Sequence, residues 1–102
     1  SALAWLDTEL PNLLAAIDHA AQHAAHDRVW RLVDQLRAYF FARRLTVHWL
    51  RTAQTGLAAA RLAGHEQAQA AMHQTLGHAH WSIVDLALWE RTPALSERTD
   101  RR

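Results

Sequence analysis

The chain has 102 residues, half of them hydrophobic, with a formal net charge of +1, three glycines, two prolines and no cysteine. That length fits one small domain. The charge balance excludes a general electrostatic pull toward nucleic acid or anionic membrane, and the missing cysteine excludes a disulfide framework, a thiolate nucleophile and a zinc knuckle.

Much of the apolar content is alanine, the best helix former, and breakers are scarce. Many short strands joined by turns would need more Gly and Pro than this. No apolar run approaches the roughly 20 residues of a membrane span, and no basic leader followed by an apolar stretch opens the chain. The expectation is a cytoplasmic segment cut from a longer protein, with no membrane partner.

Residues Ala2 to Asp7 read as a short helix or the last turn of one. Asp7 or Thr8 is placed to cap the next helix, with Pro11 in its first turn, where the missing N–H has no intrahelical partner anyway. Leu10, Leu13, Leu14, Ile17, Ala20, Ala21 and Ala24 then recur at helical spacing, and this helix should end near Ala25. Asp27 is the next N-cap candidate. Beyond it Val29, Leu32, Val33, Leu36, Tyr39 and Phe40 form an apolar stripe over residues 28 to 42. The turn at Arg43-Arg44-Leu45 carries no glycine, so its boundary is soft.

Thr46 is placed to cap a third helix with Leu50, Ala53, Leu57 and Ala60 inward. Gly56 inside it costs about 1 kcal/mol relative to Ala, unless a neighbouring helix needs the space. Gly64 suits the position just past a helix end. A fourth helix should start near His65-Glu66, with Ala68, Ala71, Met72, Leu76 and Ala79 inward. Ser82-Ile83-Val84-Asp85 has capping-box spacing, which predicts a fifth, short helix from Ile83 to Arg91 that stops before Pro93. The domain should span residues 1–95. The polar remainder, 96–102, should be a disordered tail.

The joints are short, and short joints force antiparallel neighbours. The spacing therefore predicts an all-α fold of antiparallel helical hairpins. Leu76-Gly77 resembles the Leu-Gly pair in the first helix of tetratricopeptide repeats, with Gly77 permitting close helix approach. A wider resemblance rests on Trp5-Leu6-Asp7-Thr8-Glu9, Asn12-Leu13-Leu14-Ala15-Ala16-Ile17, Trp30-Arg31-Leu32-Val33-Asp34-Gln35-Leu36, Tyr39-Phe40 and Trp49-Leu50, in that order. Over roughly residues 2 to 80 the chain resembles the helical segment that follows the ATPase module in actinobacterial transcriptional regulators. These include the antibiotic regulatory protein type and related multidomain signal-transduction ATPases. The resemblance implies hairpins stacked as a fragment of a right-handed tetratricopeptide-like superhelix. It also implies a segment that senses or binds something while DNA-binding and nucleotide-binding domains sit elsewhere. The chain itself has no Gly-x-x-x-x-Gly-Lys-Ser/Thr loop.

The residues give little support for catalysis. His19 and His23 share a helix face, with His26 close by, and two imidazoles at that spacing can chelate Zn²⁺ or Ni²⁺. However, Ala20 stands where a His-Glu-x-x-His motif has its Glu, and two solvent-facing histidines on an Ala-rich helix is the better reading. His73, His78 and His80 would need a helix break or another chain to form a metal site. Asp7 and Glu9 offset a helix dipole at its N-terminus, and Asp34, Glu66, Asp85 and Glu90 are scattered. No catalytic residue, cofactor site or metal site is assigned.

Five tryptophans in 102 residues is a high count, and Trp is a preferred residue at binding hot spots. Trp81, Ile83, Val84, Leu86, Leu88 and Trp89 crowd into nine residues that one short helix cannot bury against a single neighbour. The expected partner-binding residues are Trp81, Trp89, Trp49, Phe41 and Leu86. The expected function is a non-catalytic interaction or sensor segment that binds a protein, a peptide or a neighbouring domain, either by two-fold self-association or by docking on the next repeat. Two alternatives stand beside it. One is a small-molecule-sensing pocket lined by Trp and Arg. The other, less favoured, is a DNA-binding helical domain that uses Arg28, Arg31, Arg37, Arg43 and Arg44, although direct nucleic-acid binding is not expected overall.

Overall fold

A computed structural model describes residues 1–91, without the side chain of Trp89. The expected end of the domain at residue 95, the stop before Pro93 and the polar tail lie outside the described residues. Those described are all-helical, with no strand. α1 spans Ala2–Gln22, α2 His26–Arg43, α3 Thr46–Leu62 and α4 Glu66–Arg91.

The helix ends differ from the sequence expectation because the expected capping side chains have other partners or lie inside the helices. α1 is one continuous helix whose N-cap is Ser1, with Ser1 Oγ accepting from the Ala4 amide at 3.2 Å. Pro11 lies inside it, on the exposed side, where the loss of one backbone donor is tolerated by solvent. Asp7 is not a cap. Its carboxylate accepts from the Tyr39 hydroxyl at 2.8 Å and pairs with Arg43 at 2.9 Å. Thr8 donates back to the Ala4 carbonyl. Asp27 accepts from the Trp30 indole at 3.0 Å instead of capping α2, and α3 starts at Thr46 with no side-chain cap. His65 is the cap for α4, its Nδ1 accepting from the Ala68 amide at 3.0 Å.

Three joints share one geometry. Ala24, Arg44 and Gly64, spaced by twenty residues, each adopt positive φ (58°, 54° and 65°). The amide of the next residue closes each turn onto the buried position five back: Ala25 to Ala20 at 2.9 Å, Leu45 to Phe40 at 3.0 Å, and His65 to Ala60 at 3.1 Å. This is the hydrogen bond of a Schellman turn. Continuing the spacing places the next such residue at Val84. A β-branched side chain makes the left-handed conformation an outlier there. The helix runs on, and Ser82 Oγ bonds the His78 carbonyl at 3.0 Å instead of capping a new helix. The fifth helix expected from residue 83 is therefore the last part of α4.

Consecutive helices pack antiparallel. The Asp7–Arg43 pair joins the start of α1 to the end of α2. Phe41 meets Trp49 edge-on at 6.2 Å across the next joint. α2 and α4 run parallel: Trp30 lies 5.1 Å from His65 near their starts, and Phe41 and Trp81 line one cavity further along. No Cα of α1 comes within 8 Å of α4. An up-down four-helix bundle closes its first helix on its fourth, so this array is open. Its extents are 50 × 29 × 18 Å.

α3 is the centre of the core. Trp49, Thr52, Ala53, Gly56, Leu57, Ala59 and Ala60 are all buried. A Cβ built on Gly56 would stand 2.6 Å from Met72 Sδ and 3.3 Å from Val33 Cγ2. Gly56 is therefore a point where α3 closely approaches Val33 of α2 and Met72 of α4, and this need offsets its low helix propensity. Gly77, expected to permit close approach, has nothing within 4 Å of its Cβ position. The buried Trp49 indole donates to Thr75 Oγ1 at 2.7 Å, which satisfies both groups. Burial first, and then the bond to Asp7, raise the Tyr39 pKa above its ordinary value of 10.0.

Candidate functional site

The parallel run of α2 and α4 leaves a groove between them, floored by α3. On α2 its wall is Arg37, Ala38 and Phe41; on α4 it is His78, Trp81 and Ser82; Trp49 is the floor. These residues enclose 370 Å³. A second cavity of 240 Å³ adjoins it, sharing Phe41, Trp49, Trp81 and Ser82 and adding Phe40, Arg44, Thr46, Asp85 and Leu86. Helical periodicity explains each wall: residues three or four apart share a face, so Ala38 and Phe41 align on α2, and His78, Trp81, Ser82 and Asp85 on α4.

The groove brings together four of the five residues expected to bind a partner. Phe41 is 66% exposed, Trp81 64% and Leu86 47%, whereas Trp49 is 3% exposed. Trp49 is thus a fixed floor rather than a free contact, since Thr75 holds its indole N–H. The side chain of Trp89 lies outside the described residues. The expected partner-binding set left out Arg37 and Arg44, named only for the DNA-binding alternative, and His78, Ser82 and Asp85. The signal that finds Arg37 is its spacing of four from Phe41 on one face of α2, whereas Arg44 lies in the joint beyond that helix.

The groove's chemistry is aromatic with a charged rim. Arg37 lies 3.9 Å from Asp34, with both side chains well exposed. A pair of that kind contributes little and leaves the guanidinium open to other partners. Arg44 stands at the joint, and it and Asp85 both line the second cavity. A 520 Å³ depression at the α1–α2 joint is larger, but it is lined by Arg28, Arg31, Asp27, His26 and Gln35, with only alanines and Leu32 as apolar members. It offers no anchor pocket for an aromatic or aliphatic side chain.

The other candidate groups are dispersed. His19 and His23 stack at 4.1 Å, and His23 Nδ1 lies 2.8 Å from the His19 carbonyl. His73 and His80 are exposed and separate from them. Among the described residues no three of His, Cys, Asp and Glu form a group that would hold a metal ion. The arginines of α2 do not form a uniform basic face, because Arg43 pairs with Asp7, Arg31 lies 5.5 Å over Trp30 and Arg37 neighbours Asp34. No helix among the described residues is long and apolar enough to cross a membrane. No protein-family model, curated protein or solved structure matches the chain.

Proposed function

We propose that the chain is a non-catalytic helical-repeat segment of the tetratricopeptide kind, a piece of a right-handed superhelix, that binds a protein, a peptide or a neighbouring domain in the groove between α2 and α4. The carrying observation is the pair of exposed rings, Phe41 and Trp81, standing over the buried Trp49. Exposed aromatics beside a packed apolar floor are the usual anatomy of a binding hot spot. The recurring joint and the contacts between next-but-one helices support the repeat reading. The resemblance to the helical segment of actinobacterial transcriptional regulators supports the setting, a cytoplasmic multidomain regulator.

The test is selection of a displayed peptide library against the chain, followed by titration of enriched peptides into wild type and W81A. Trp81→Ala should weaken binding by at least about 2 kcal/mol, roughly 30-fold, while leaving the helical circular dichroism unchanged. Peptides that bind wild type and W81A alike would refute the groove as the site. The cavity volume also fits a small ligand, since such pockets run upward from about 300 Å³. A thermal-shift screen in which small molecules, but no peptides, stabilise the chain through Trp81 would favour that second reading.

A further inference from the structure

The sequence of α1 reproduces that of α3. Trp5, Leu6, Thr8, Leu13, Ala15 and Ala16 match Trp49, Leu50, Thr52, Leu57, Ala59 and Ala60, in the same order and spacing. The backbone uses of the threonines match too: Thr8 bonds the Ala4 carbonyl and Thr52 the His48 carbonyl. The offset is forty-four residues, whereas two joint periods are forty. Four residues is one helical turn, so the matched residues lie on the same face of their helices, with Trp5 one turn earlier.

The two faces differ in what covers them. On α3, Trp49, Thr52, Gly56, Ala59 and Ala60 are buried in the seam between α2 and α4. On α1, Trp5 is 60% exposed, and Thr8, Asn12, Ala15 and Ala16 are exposed as well. α1 has α2 as one wall of the seam, and the wall that α2 provides for α3 has no counterpart on α1.

We infer that this face of α1 is a docking surface for an antiparallel amphipathic helix of the α2 type, supplied by another polypeptide segment. The covered seam on α3 specifies the helix. It carries an aromatic ring near its C-terminal end to meet Trp5, as Phe41 meets Trp49. It carries a small residue at its middle, because Asn12 stands where Gly56 admits Val33. It carries a basic residue in its last turn, because Glu9 borders this face; its carboxylate accepts from the Asn12 side-chain amide at 3.2 Å, and neither ion pair found among the described residues involves it. A second copy of this chain fits less well. The exposed stripe of α4 presents His73, Gly77 and His80 over most of its length and apolar Val84 and Leu88 only at its end, so it lacks the continuous apolar stripe of α2.

The experiment uses the chain labelled with 5-fluorotryptophan, its fluorine resonances assigned by single Trp→Phe variants. The probe is a synthetic peptide of residues 26–43 carrying V33A. Isolated helices of that length are marginal in water, so binding on the order of a millimolar is expected. The Trp5 resonance should shift saturably while Trp49 and Trp81 stay in place. Ala16→Arg, on an exposed helix position, should abolish the shift without loss of helicity, and a scrambled peptide should have no effect. Absence of a Trp5 shift at several times that concentration would overturn the inference. So would a shift with the scrambled peptide, or movement of Trp81 instead of Trp5. A Trp5 resonance that moves with protein concentration alone would identify a second copy as the occupant and overturn the partner named here. Because the groove is reported by Trp81 and this face by Trp5, failure of one reading is distinguishable from failure of the other.

Discussion

Replacing Gly56 by alanine sets two effects of opposite sign against each other. Alanine in a helix interior is favoured over glycine by about 1 kcal/mol. The new methyl would stand 2.6 Å from Met72 Sδ and 3.3 Å from Val33 Cγ2. Carbon and sulfur need roughly 3.5–4 Å, so Met72 must retreat by about 1 Å. Met72 and Val33 are both fully buried, and neither has solvent to move into. Overpacking of this sort costs about 1–3 kcal/mol. The net expectation for G56A is a loss of about 1 kcal/mol, seen as a Tm lower by about 4–8 °C for a domain of this size. Urea titration followed by far-UV circular dichroism should show a lower midpoint at unchanged slope. M72A alone should cost about 2–5 kcal/mol, but less in the G56A background, where the methyl fills part of the void, with a coupling of about 0.5–3 kcal/mol. If G56A instead gains the full propensity increment, the close approach of α2 and α4 at Gly56 is wrong.

Thr75→Val removes the acceptor from the buried Trp49 indole and should cost about 1–3 kcal/mol in urea unfolding, whereas Thr75→Ser keeps the acceptor and should cost about 1 kcal/mol or less. Gly77→Ala should stabilise by up to about 1 kcal/mol because its Cβ position is open and the residue is helical. Gly64→Ala, at φ +65°, should destabilise by about 1 kcal/mol for the opposite reason. Tyr39 is the single tyrosine, and the chain has neither lysine nor cysteine, so an alkaline loss of stability below the arginine range should be its alone. Its folded pKa is raised, so its contribution is complete below pH 10 and lost as pH rises through the folded value; a pH series of unfolding free energies should fall above about pH 10 in wild type and stay flat in Y39F.

Hydrophobic periodicity was enough to read the four stripes, because Val29, Val33, Leu36 and Phe40, or Ala68, Met72 and Ala79, repeat at helical spacing and are buried as that spacing requires. Helix ends were read less well, for a definite reason. Asp7, Asp27 and Thr46 have good capping chemistry, yet Asp7 is drawn to Tyr39 and Arg43, Asp27 to the Trp30 indole, and Thr46 lies within the helix it was expected to cap. At Asp7 the local preference lost to partners distant in sequence, and at Asp27 to a side chain one turn away in the same helix. The joints themselves were legible, near Ala25, at Arg43-Arg44-Leu45 and at Gly64, but the left-handed residue was legible only at the last. Gly64 announces a left-handed residue, whereas Ala24 and Arg44 carry no such signal and are held there by the bonds from Ala25 and Leu45 to buried carbonyls. Only the register of the whole array reveals them.

That register also explains why the groove was half legible. Phe41 and Trp81 stood out singly as large apolar residues, but nothing local says that they face one another. Joints that recur every twenty residues place positions forty apart at the same height on parallel helices. Ala38 then lies across from His78, and Phe41 across from Trp81, which are the pairs that line the cavity. Val84 extends the consequence. Because no joint forms there, α4 continues past the start of α3 and carries Asp85 and Leu86 out along the rim of the second cavity. One residue inserted within α3 would turn everything after it by about 100° and break the pairing without changing a single lining residue. The groove is thus a property of the joint spacing as much as of its aromatic walls.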